Sequence, residues 1–414
     1  MQKKSFALGY AQIVNWFLAW AMMGFVNASG ASLMRAGVAE ANGIDLAAIL
    51  QMCAVVGWIG NFIYLAVPGA MNKIGAKKIL CITAIVSGIL CALTPFAKSA
   101  LMVGILLGLV EITTCIFCTS CTMQLVSKWF PRKKATIMGI ITAGGILSSL
   151  VLLPIYNALQ ASGGYKTAMF GYGAITAVYG ILSFFWLKEA PQEAGLMPDN
   201  MPADTDKGPK LALNDEKWGF KDVLSKKQFW FASLAWGLVL LGTVGFITIA
   251  VPYMLMHGTP QPRALWGMSL LGVIQFVIST CSGFVDQKIG PVKTGVILTI
   301  LQTVGFAIVA FYGSGNEMLP ILAVWLIMGI FGAVNNLYSS QFLSIFGPMN
   351  FAVSFNMFVF IAGITKPLGQ MIAGRSLAAT GDYMAAGKIY LVCMIIGSIC
   401  VVLAGDKKIV PEKK

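Results

Sequence analysis

Charged residues are scarce in this chain. Asp, Glu, Lys and Arg together make up 11% of its 414 residues, and there is one histidine, His257. A soluble domain has about 25% charged residues, so the composition excludes an ordinary soluble protein. Hydrophobic residues make up 57% of the chain and occur in long runs without a polar face. These runs are typical of a membrane protein.

The residues needed for several kinds of chemistry are also missing. The sequence has no phosphate-binding glycine loop and no Ser–His–Asp arrangement, which argues against an enzyme or an ATP-driven pump. His257 is expected in a loop at the outer end of a span, where the alternative role is sensing of external pH. Cys115, Cys118 and Cys121 step by three along one apolar run without a fourth ligand. We therefore predict neither a metal nor a cofactor.

The chain contains many apolar runs of about 20 residues, the length that a helix needs to cross a bilayer. We predict an all-α membrane protein with twelve transmembrane helices in two pseudo-symmetric six-helix halves. The halves are 1–187 and 228–414, and the Pro-, Asp- and Lys-rich segment 188–227 is the linker between them. The predicted spans are 7–34, 46–70, 79–97, 101–127, 135–160, 167–187, 228–256, 264–285, 292–313, 318–343, 351–375 and 383–404.

The net charge of +13 comes from Lys and Arg between the spans, which indicates membrane orientation rather than a nucleic-acid partner. Without the linker, one side of the predicted spans carries 15 basic residues and the other carries six, Arg35 among them. We therefore predict that both termini are cytoplasmic. The expected location is a bacterial cytoplasmic membrane, and the expected state is a monomer.

One short phrase occurs twice. "GAMNKIGAKK" at Gly69–Lys78 and "GFVDQKIGPVK" at Gly283–Lys293 lie 214 residues apart, each between the second and third predicted span of its half. This spacing indicates an internal duplication of a six-helix unit. Parallel six-span halves with a substrate site near the membrane midplane are a known transporter plan.

These phrases resemble the loop between helices two and three of the major facilitator superfamily. "KWFPRKKATIMGIITAGG" at Lys128–Gly145 resembles its oxalate/formate antiporter and monocarboxylate transporter branch. The first phrase has Asn72 where the family has an acid, whereas the second keeps an acid, Asp286. The resemblance implies that these loops hold neighbouring helix ends together and release them during gating. The gating residues it implies are Gly69, Asn72, Lys73, Gly75, Asp286, Lys288 and Gly290.

Two ionisable residues, Glu111 and Lys366, lie deep in predicted spans. Each costs about 2.5–3.5 kcal/mol at a helix centre on insertion scales, so such residues are functional candidates. The resemblance implies that Lys366, which precedes Pro367, holds a substrate carboxylate. Dicarboxylate carriers of the branch add an arginine in helix eight, but that span here has only the amide of Gln275 in its interior. A single cation favours a monocarboxylate or a zwitterion.

The role of Glu111 stays open between three possibilities. It is a proton carrier, a partner for the cationic end of a zwitterion, or a partner for Lys366 in the empty transporter. The helices that line the cavity in this superfamily carry further polar and aromatic candidates, for which helix packing is the alternative explanation. These candidates are Trp20, Asn27, Tyr253, Asn335, Asn336 and Tyr338.

The function predicted from these residues is secondary transport of small organic anions, in particular monocarboxylates, by alternating access with proton symport or anion exchange. The alternatives are a carrier of zwitterions and an efflux carrier of amphipathic compounds. A membrane enzyme and a receptor-like sensor are further alternatives, which flux in sealed vesicles would distinguish.

Overall fold

The computed structural model describes residues 2–130, 134–196, 218–313 and 315–409, and this part of the chain is helical with short turns. The chain divides into two compact units, 1–211 and 212–414. The division falls inside the predicted linker 188–227, of which 197–217 lie outside the described residues.

The described residues of the first unit form seven main helices. They are α1 (Gln2–Gly24, continued by the π-helical turn Phe25–Ser29), α2 (Ala31–Asn42), α3 (Leu46–Ile74), α4 (Ala76–Leu93), α5 (Ala100–Trp129), α6 (137–163) and α7 (165–186).

The second unit repeats this plan after a short helix. Its helices are α8 (Phe220–Leu224), α9 (Lys227–Ile247), α10 (Ala250–Met256), α11 (Gln261–Ile289), α12 (Pro291–Phe311), α13 (Met318–Gly347), α14 (Val353–Thr380) and α15 (Met384–Ala404). In each half we call the helix ends near the linker, such as Trp186 and Lys227, the linker face. The opposite ends form the far face.

The helix ends have recognisable chemical causes. Asp45 accepts a hydrogen bond from the Ala47 amide at the start of α3, and Ser99 accepts one from the Met102 amide at the start of α5. Such side chains satisfy amides that have no partner within the helix. On the far face, α2 ends at Gly43 and α14 ends at Gly381, both with left-handed backbone angles that terminate a helix.

The number of spans depends on how breaks are counted. Among the described residues, ten helices are long and apolar enough to cross a membrane, and eleven if the pair that bends by 59° between Ser29 and Ala31 is one span. The longest, Ile137–Trp186, has 50 residues, or about 75 Å of helix at 1.5 Å per residue. Gly164 interrupts it with φ 75° and ψ −175°. Dividing this stretch at Gly164 and counting the bent pair once gives the predicted twelve.

The prediction for the first span is wrong at its end. The sequence ends this span at residue 34 and places Arg35 in a loop, whereas the helix turns at Gly30 and continues as α2 to Asn42. Arg35 is buried. The charged residue interrupted the apolar run in the sequence, but it did not interrupt the helix.

Glycines allow the helices to cross closely in both halves. A Cβ on Gly173 of α7 would lie 2.6 Å from the Gly88 carbonyl oxygen of α4, and one on Gly387 of α15 would lie 2.9 Å from the Ala310 amide nitrogen of α12. Gly173 and Gly387 are 214 residues apart, the same offset as the repeated phrases. The close crossing is therefore part of the duplicated unit.

Candidate functional site

The central feature of the first half is an ion pair between α2 and α5. Arg35 Nη2 lies 3.1 Å from Glu111 Oε2, and Arg35 Nη1 donates to the Ala31 carbonyl oxygen at 2.9 Å. The Arg35 side chain is 5% exposed and the Glu111 side chain is 27% exposed. Glu111, which the sequence indicated, thus has a cationic partner within its own half.

Arg35 still has an unused donor. Its Nε is buried and has no hydrogen-bond partner. A cavity of about 10 Å³ borders the same side chain and is lined by Val26, Met34, Arg35, Leu107 and Val110. This is about the volume that one water molecule needs. An unpartnered guanidinium donor can bind an anion, and the void beside it in this structure has room for one water molecule.

A second contact joins the end of α1 to α5. Asn27 Nδ2 donates to Cys115 Sγ at 3.4 Å, and Asn27 Oδ1 is buried without a partner. Asn27 lies in the π-helical turn of α1, and Cys115 directly precedes the π-helical turn Ile116–Cys121 of α5. π-helical turns of this kind occur frequently at functional sites. Trp20, two turns before Asn27, is half-buried and its Nε1 has no partner.

Lys366 occupies a membrane-spanning helix of the second half, as predicted. It is half-buried in α14, and the backbone stays helical through Pro367. Gly347, with φ 68° and ψ 168°, separates the preceding helix α13 from α14. Next to Lys366, Thr365 packs near Gly237 of α9, and Gly369 packs against the backbone of Leu241. Lys366 therefore lies where α14 crosses α9.

The other candidates of the second half make separate contacts. Gln275 Nε2 donates to the Met328 carbonyl oxygen at 2.9 Å, beside the Gly329–Ile330 interruption of α13. Asn336 Nδ2 donates to Ser279 Oγ at 3.0 Å and is exposed. The Tyr338 hydroxyl donates to Asn335 Oδ1 at 2.9 Å. These side chains bond to one another, to Ser279 or to the backbone where α11 and α13 meet.

Tyr253 is also part of a packed cluster. It is fully buried, its ring centroid lies 5.5 Å from that of Phe246 and 4.4 Å from that of His257, and its hydroxyl has no partner. His257 lies in the turn directly after α10, where the sequence placed it, and it is buried.

The repeated phrases are helix junctions rather than loops. Gly75 is the single residue between α3 and α4, and Gly290 is the single residue between α11 and α12. Their φ values are 97° and 86°, a region that residues with a Cβ rarely adopt. Gly69 is helical within α3 and a Cβ there would meet no atom within 4 Å. The turn is therefore made by one glycine in each half.

The two junctions differ in register. The Gly75 amide donates to the Met71 carbonyl oxygen, and the Gly290 amide donates to the Asp286 carbonyl oxygen. Counted from the junction glycine, Asp286 thus corresponds to Met71 and not to Asn72. Met71 and Asn72 differ by one position, which is about 100° around the helix. Asp286 is half-buried with Oδ1 unpartnered, and Lys73 and Lys288 are exposed. The Asn72 side chain lies outside the described part of the structure.

A glutamate that the sequence did not single out holds the first junction. Glu189 Oε1 accepts from the Ala76 amide at 3.0 Å, and Oε2 accepts from the Lys77 amide at 2.6 Å. Lys128 at the end of α5 forms an ion pair with Oε1. The carboxylate thus caps the positive N-terminus of α4. In the second half, Asp406 Oδ2 lies 3.0 Å from the place of a Cβ on Gly290.

The surroundings of Glu189 set its charge. Burial raises its pKa, but the hydrogen bonds from Lys128 and from the Lys77 and Ala76 amides outweigh burial, so the pKa lies below the ordinary value. The residue is therefore ionised when the cap is formed. The acid that connects the start of α4 to the end of α5 is thus Glu189, which follows α7 in the chain and is not part of the repeated phrase.

Comparison with known proteins identifies the family of this chain. Residues 13–365 match the model of the Major Facilitator Superfamily. The chain belongs to this superfamily. Because the superfamily consists of transporters, the protein is an integral membrane transporter of small molecules and not an enzyme.

Individual relatives of this superfamily member are distant. It is similar to monocarboxylate transporter 2 of Meriones unguiculatus, with 21% identity over 371 residues, 82% of this chain and 74% of that one. It is similar to the hexuronate transporter of Bacillus subtilis strain 168, with 22% identity over 338 residues, 77% of this chain and 76% of that one. The solved structure of a D-xylose–proton symporter matches with a TM-score of 0.72 at 12% identity, over 95% of this chain and 97% of that one. The resemblance to the superfamily and its monocarboxylate branch is confirmed.

Proposed function

We propose that the protein is a secondary transporter of small organic anions, in particular monocarboxylates, and that it works by alternating access. The observation that carries this proposal is the ion pair of the buried Arg35 with the half-buried Glu111, together with the unpartnered Nε donor of Arg35. Ionisable residues within membrane-spanning segments are costly and mark substrate or ion pathways. The names of the monocarboxylate and hexuronate transporters, both carriers of carboxylates, support the same substrate class.

In this proposal, Glu111 and the substrate carboxylate compete for Arg35. When Glu111 is ionised, it holds Arg35 at 3.1 Å. A proton on Glu111 removes the negative charge, and the guanidinium then binds the carboxylate of the substrate. Proton and anion are therefore bound in the same step, which is proton symport. The empty transporter returns with the Arg35–Glu111 pair restored.

Lys366 is the proposed cation of the second half. It contacts the carboxylate, as the family resemblance implies, and no interior arginine accompanies it in α11. One lysine suits a single carboxylate better than two, which favours monocarboxylates over dicarboxylates. Anion exchange without a proton is the alternative coupling mode, and zwitterion transport is the alternative substrate class.

The glycine junctions are the proposed gates. We infer that the linker face and both termini are cytoplasmic, in a bacterial cytoplasmic membrane, since basic residues are concentrated there. In this proposal, Glu189 holds Lys128 and the α4 amides in one state of the transporter and releases them in another. The gating residues implied by the resemblance, such as Asn72 and Asp286, act at the same helix ends. The proposed transport unit is the monomer.

The test is flux into sealed liposomes that contain the purified protein. Labelled monocarboxylates, dicarboxylates and amino acids are offered with and without a pH gradient. The parent is compared with Arg35→Lys, Glu111→Gln and Lys366→Gln, and Lys388→Gln is the matched control because Lys388 is an exposed cation.

We expect saturable monocarboxylate flux that a proton gradient drives in the parent and in the control. Lys366→Gln should lose it, and Glu111→Gln should retain exchange but lose the response to the gradient. Full gradient-driven uptake by Glu111→Gln would exclude Glu111 as the proton carrier. Equal flux by Lys366→Gln would exclude Lys366 as the anion site, and preferred uptake of amino acids would favour the zwitterion alternative.

A further inference from the structure

The single histidine of the chain is held in one orientation at the end of α10. His257 is 2% exposed, and its Nδ1 lies 2.9 Å from the Tyr253 carbonyl oxygen. A carbonyl oxygen can only accept a hydrogen bond, so Nδ1 carries a hydrogen. The tautomer is therefore fixed by the backbone, and only Nε2 is left to gain or lose a proton.

The free nitrogen faces a carboxylate. His257 Nε2 lies 3.5 Å from Asp382 Oδ1, in the turn between α14 and α15. In the neutral ring, the lone pair of Nε2 points at a negatively charged oxygen. In the doubly protonated ring, Nε2–H donates a charge-assisted hydrogen bond to it. Both contacts of the ring are thus satisfied only when the imidazole carries two protons.

Asp382 is held in place by its own turn. Gly381 ends α14 with φ 69°, and the Asp382 carbonyl oxygen accepts from Ser376 Oγ at 2.8 Å. Asp382 Oδ1 also accepts from the Tyr383 amide. The carboxylate therefore stands opposite His257 independently of the charge on the ring.

The histidine end of this contact belongs to a separate helical segment. Thr248 and Ile249 interrupt the helix between α9 and α10, and α10 has seven residues. Gly258, with φ 88°, ends α10 directly after His257. We propose that His257 and Asp382 form a proton-binding site whose occupation ties α10 to the turn between α14 and α15. This site is separate from Glu111 and does not rest on the proposed substrate or coupling mode.

The other ionisable groups near the ring have contacts of their own and do not serve as the partner of His257 Nε2. The Tyr253 ring lies against the imidazole, with the ring centroids 4.4 Å apart, and Tyr312 is a further ionisable group near Tyr253. Glu317 directs its carboxylate to Arg263, while its carbonyl oxygen accepts from Thr259 Oγ1 at 2.9 Å. Among the described residues around the ring, Asp382 is thus the carboxylate within ion-pair distance of Nε2.

The proton can be observed directly, because one histidine gives one pair of ring-nitrogen signals. The protein is purified with a histidine-free tag, labelled with ¹⁵N-histidine and titrated by NMR in nanodiscs. We expect both ring nitrogens to be protonated on the acidic side of the titration. Asp382→Asn should move the midpoint to lower pH, whereas Glu317→Gln, which breaks the adjacent ion pair, should leave it in place. Identical titrations of the parent and Asp382→Asn would overturn the proposal.

Hydrogen–deuterium exchange tests whether protonation of His257 stabilises the contact between α10 and the turn that joins α14 to α15. Exchange of the peptide that contains α10 is compared with the intrinsic rate at each pH. We expect about tenfold greater protection at acidic than at alkaline pH in the parent, the effect of one hydrogen bond to a charged group, and no such difference in Asp382→Asn. Protection of α10 that is independent of pH in the parent would mean that the proton binds without tying the helix, and the proposal would be wrong.

Discussion

Arg35 Nη2 and Glu111 Oε2 lie 3.1 Å apart, and the two side chains differ in exposure, 5% against 27%. Arg35 is thus buried in the helix bundle, whereas Glu111 is partly exposed. In water such a pair contributes little, but inside a bundle the removal of one partner leaves a charge without compensation. The two residues therefore depend on each other for stability as well as for the proposed transport.

The first prediction is a double-mutant cycle on this pair. Glu111→Leu should lower the free energy of unfolding by about 3–5 kcal/mol, because it leaves a buried guanidinium unpaired. Arg35→Met should cost less, because Glu111 can be protonated or hydrated. The combination should recover most of the loss, and thermal unfolding in detergent measures all four proteins. Strictly additive losses would show that the two side chains do not interact.

The second prediction concerns the cap on α4. Glu189→Gln should reduce stability by roughly 1.5 kcal/mol at neutral pH, since it weakens hydrogen bonds to a charged acceptor. The pKa of Glu189 is lowered in the folded protein. Its contribution is therefore complete above the ordinary glutamate value of about 4.3 and is lost as the pH falls below it.

The control for this prediction is Glu40→Gln, because Glu40 is an exposed glutamate of α2. Unfolding is measured from neutral to acidic pH. The difference between the parent and Glu189→Gln should vanish at the acidic end, and Glu40→Gln should follow the parent throughout. A difference that persists below the titration of Glu189 would exclude its charge as the cause.

The third prediction compares two glycines in helices. A Cβ on Gly369 would overlap the Leu241 carbonyl oxygen and would lie 3.0 Å from the Gly245 amide nitrogen. Gly369→Ala must therefore move α14 away from α9, and we expect a loss of about 1–3 kcal/mol or more. Gly69→Ala meets open space and should be neutral or stabilising by up to about 1 kcal/mol. Equal melting temperatures for the two variants would contradict the close crossing.

The fourth prediction separates binding from packing at Gln275. Its amide supports the Met328 carbonyl oxygen. Gln275→Leu should lower stability by about 1–3 kcal/mol, because it leaves that oxygen without its partner, while the KM for substrate stays unchanged. Asn336→Ala is the comparison, since Asn336 is exposed and pairs with Ser279. A raised KM with normal stability would instead make Gln275 a binding residue.

The sequence predicted the helical class, the duplication and the superfamily well, because long apolar runs and a repeated phrase are local properties of the chain. It also indicated Glu111, since a carboxylate within an apolar run stands out. It missed Arg35, because a charge next to the end of an apolar run looks like a loop residue. Only the bend at Gly30 and the pairing across α2 and α5 show that it is buried.

Glu189 was missed for a different reason. It follows α7 in a polar stretch, and its partners Ala76, Lys77 and Lys128 are 61 or more residues away in the sequence. Two amides at a helix start next to lysines are a signal for an anion, but the sequence does not show which acid supplies it. The roles of the amides and aromatics of the second half stay predictions, because hydrogen bonding between helices uses the same residue types as ligand binding.

The one-residue junctions constrain how each half can move. A trans peptide chain has two soft dihedral angles per residue, so α3 and α4 are joined through the two angles of Gly75, and α11 and α12 through those of Gly290. No slack is available for one helix of a pair to slide along the other. The two helix ends at each junction must therefore stay together, and the two helices of a pair can change only the angle between them about that glycine. Spectroscopic labels on both arms would measure this angle.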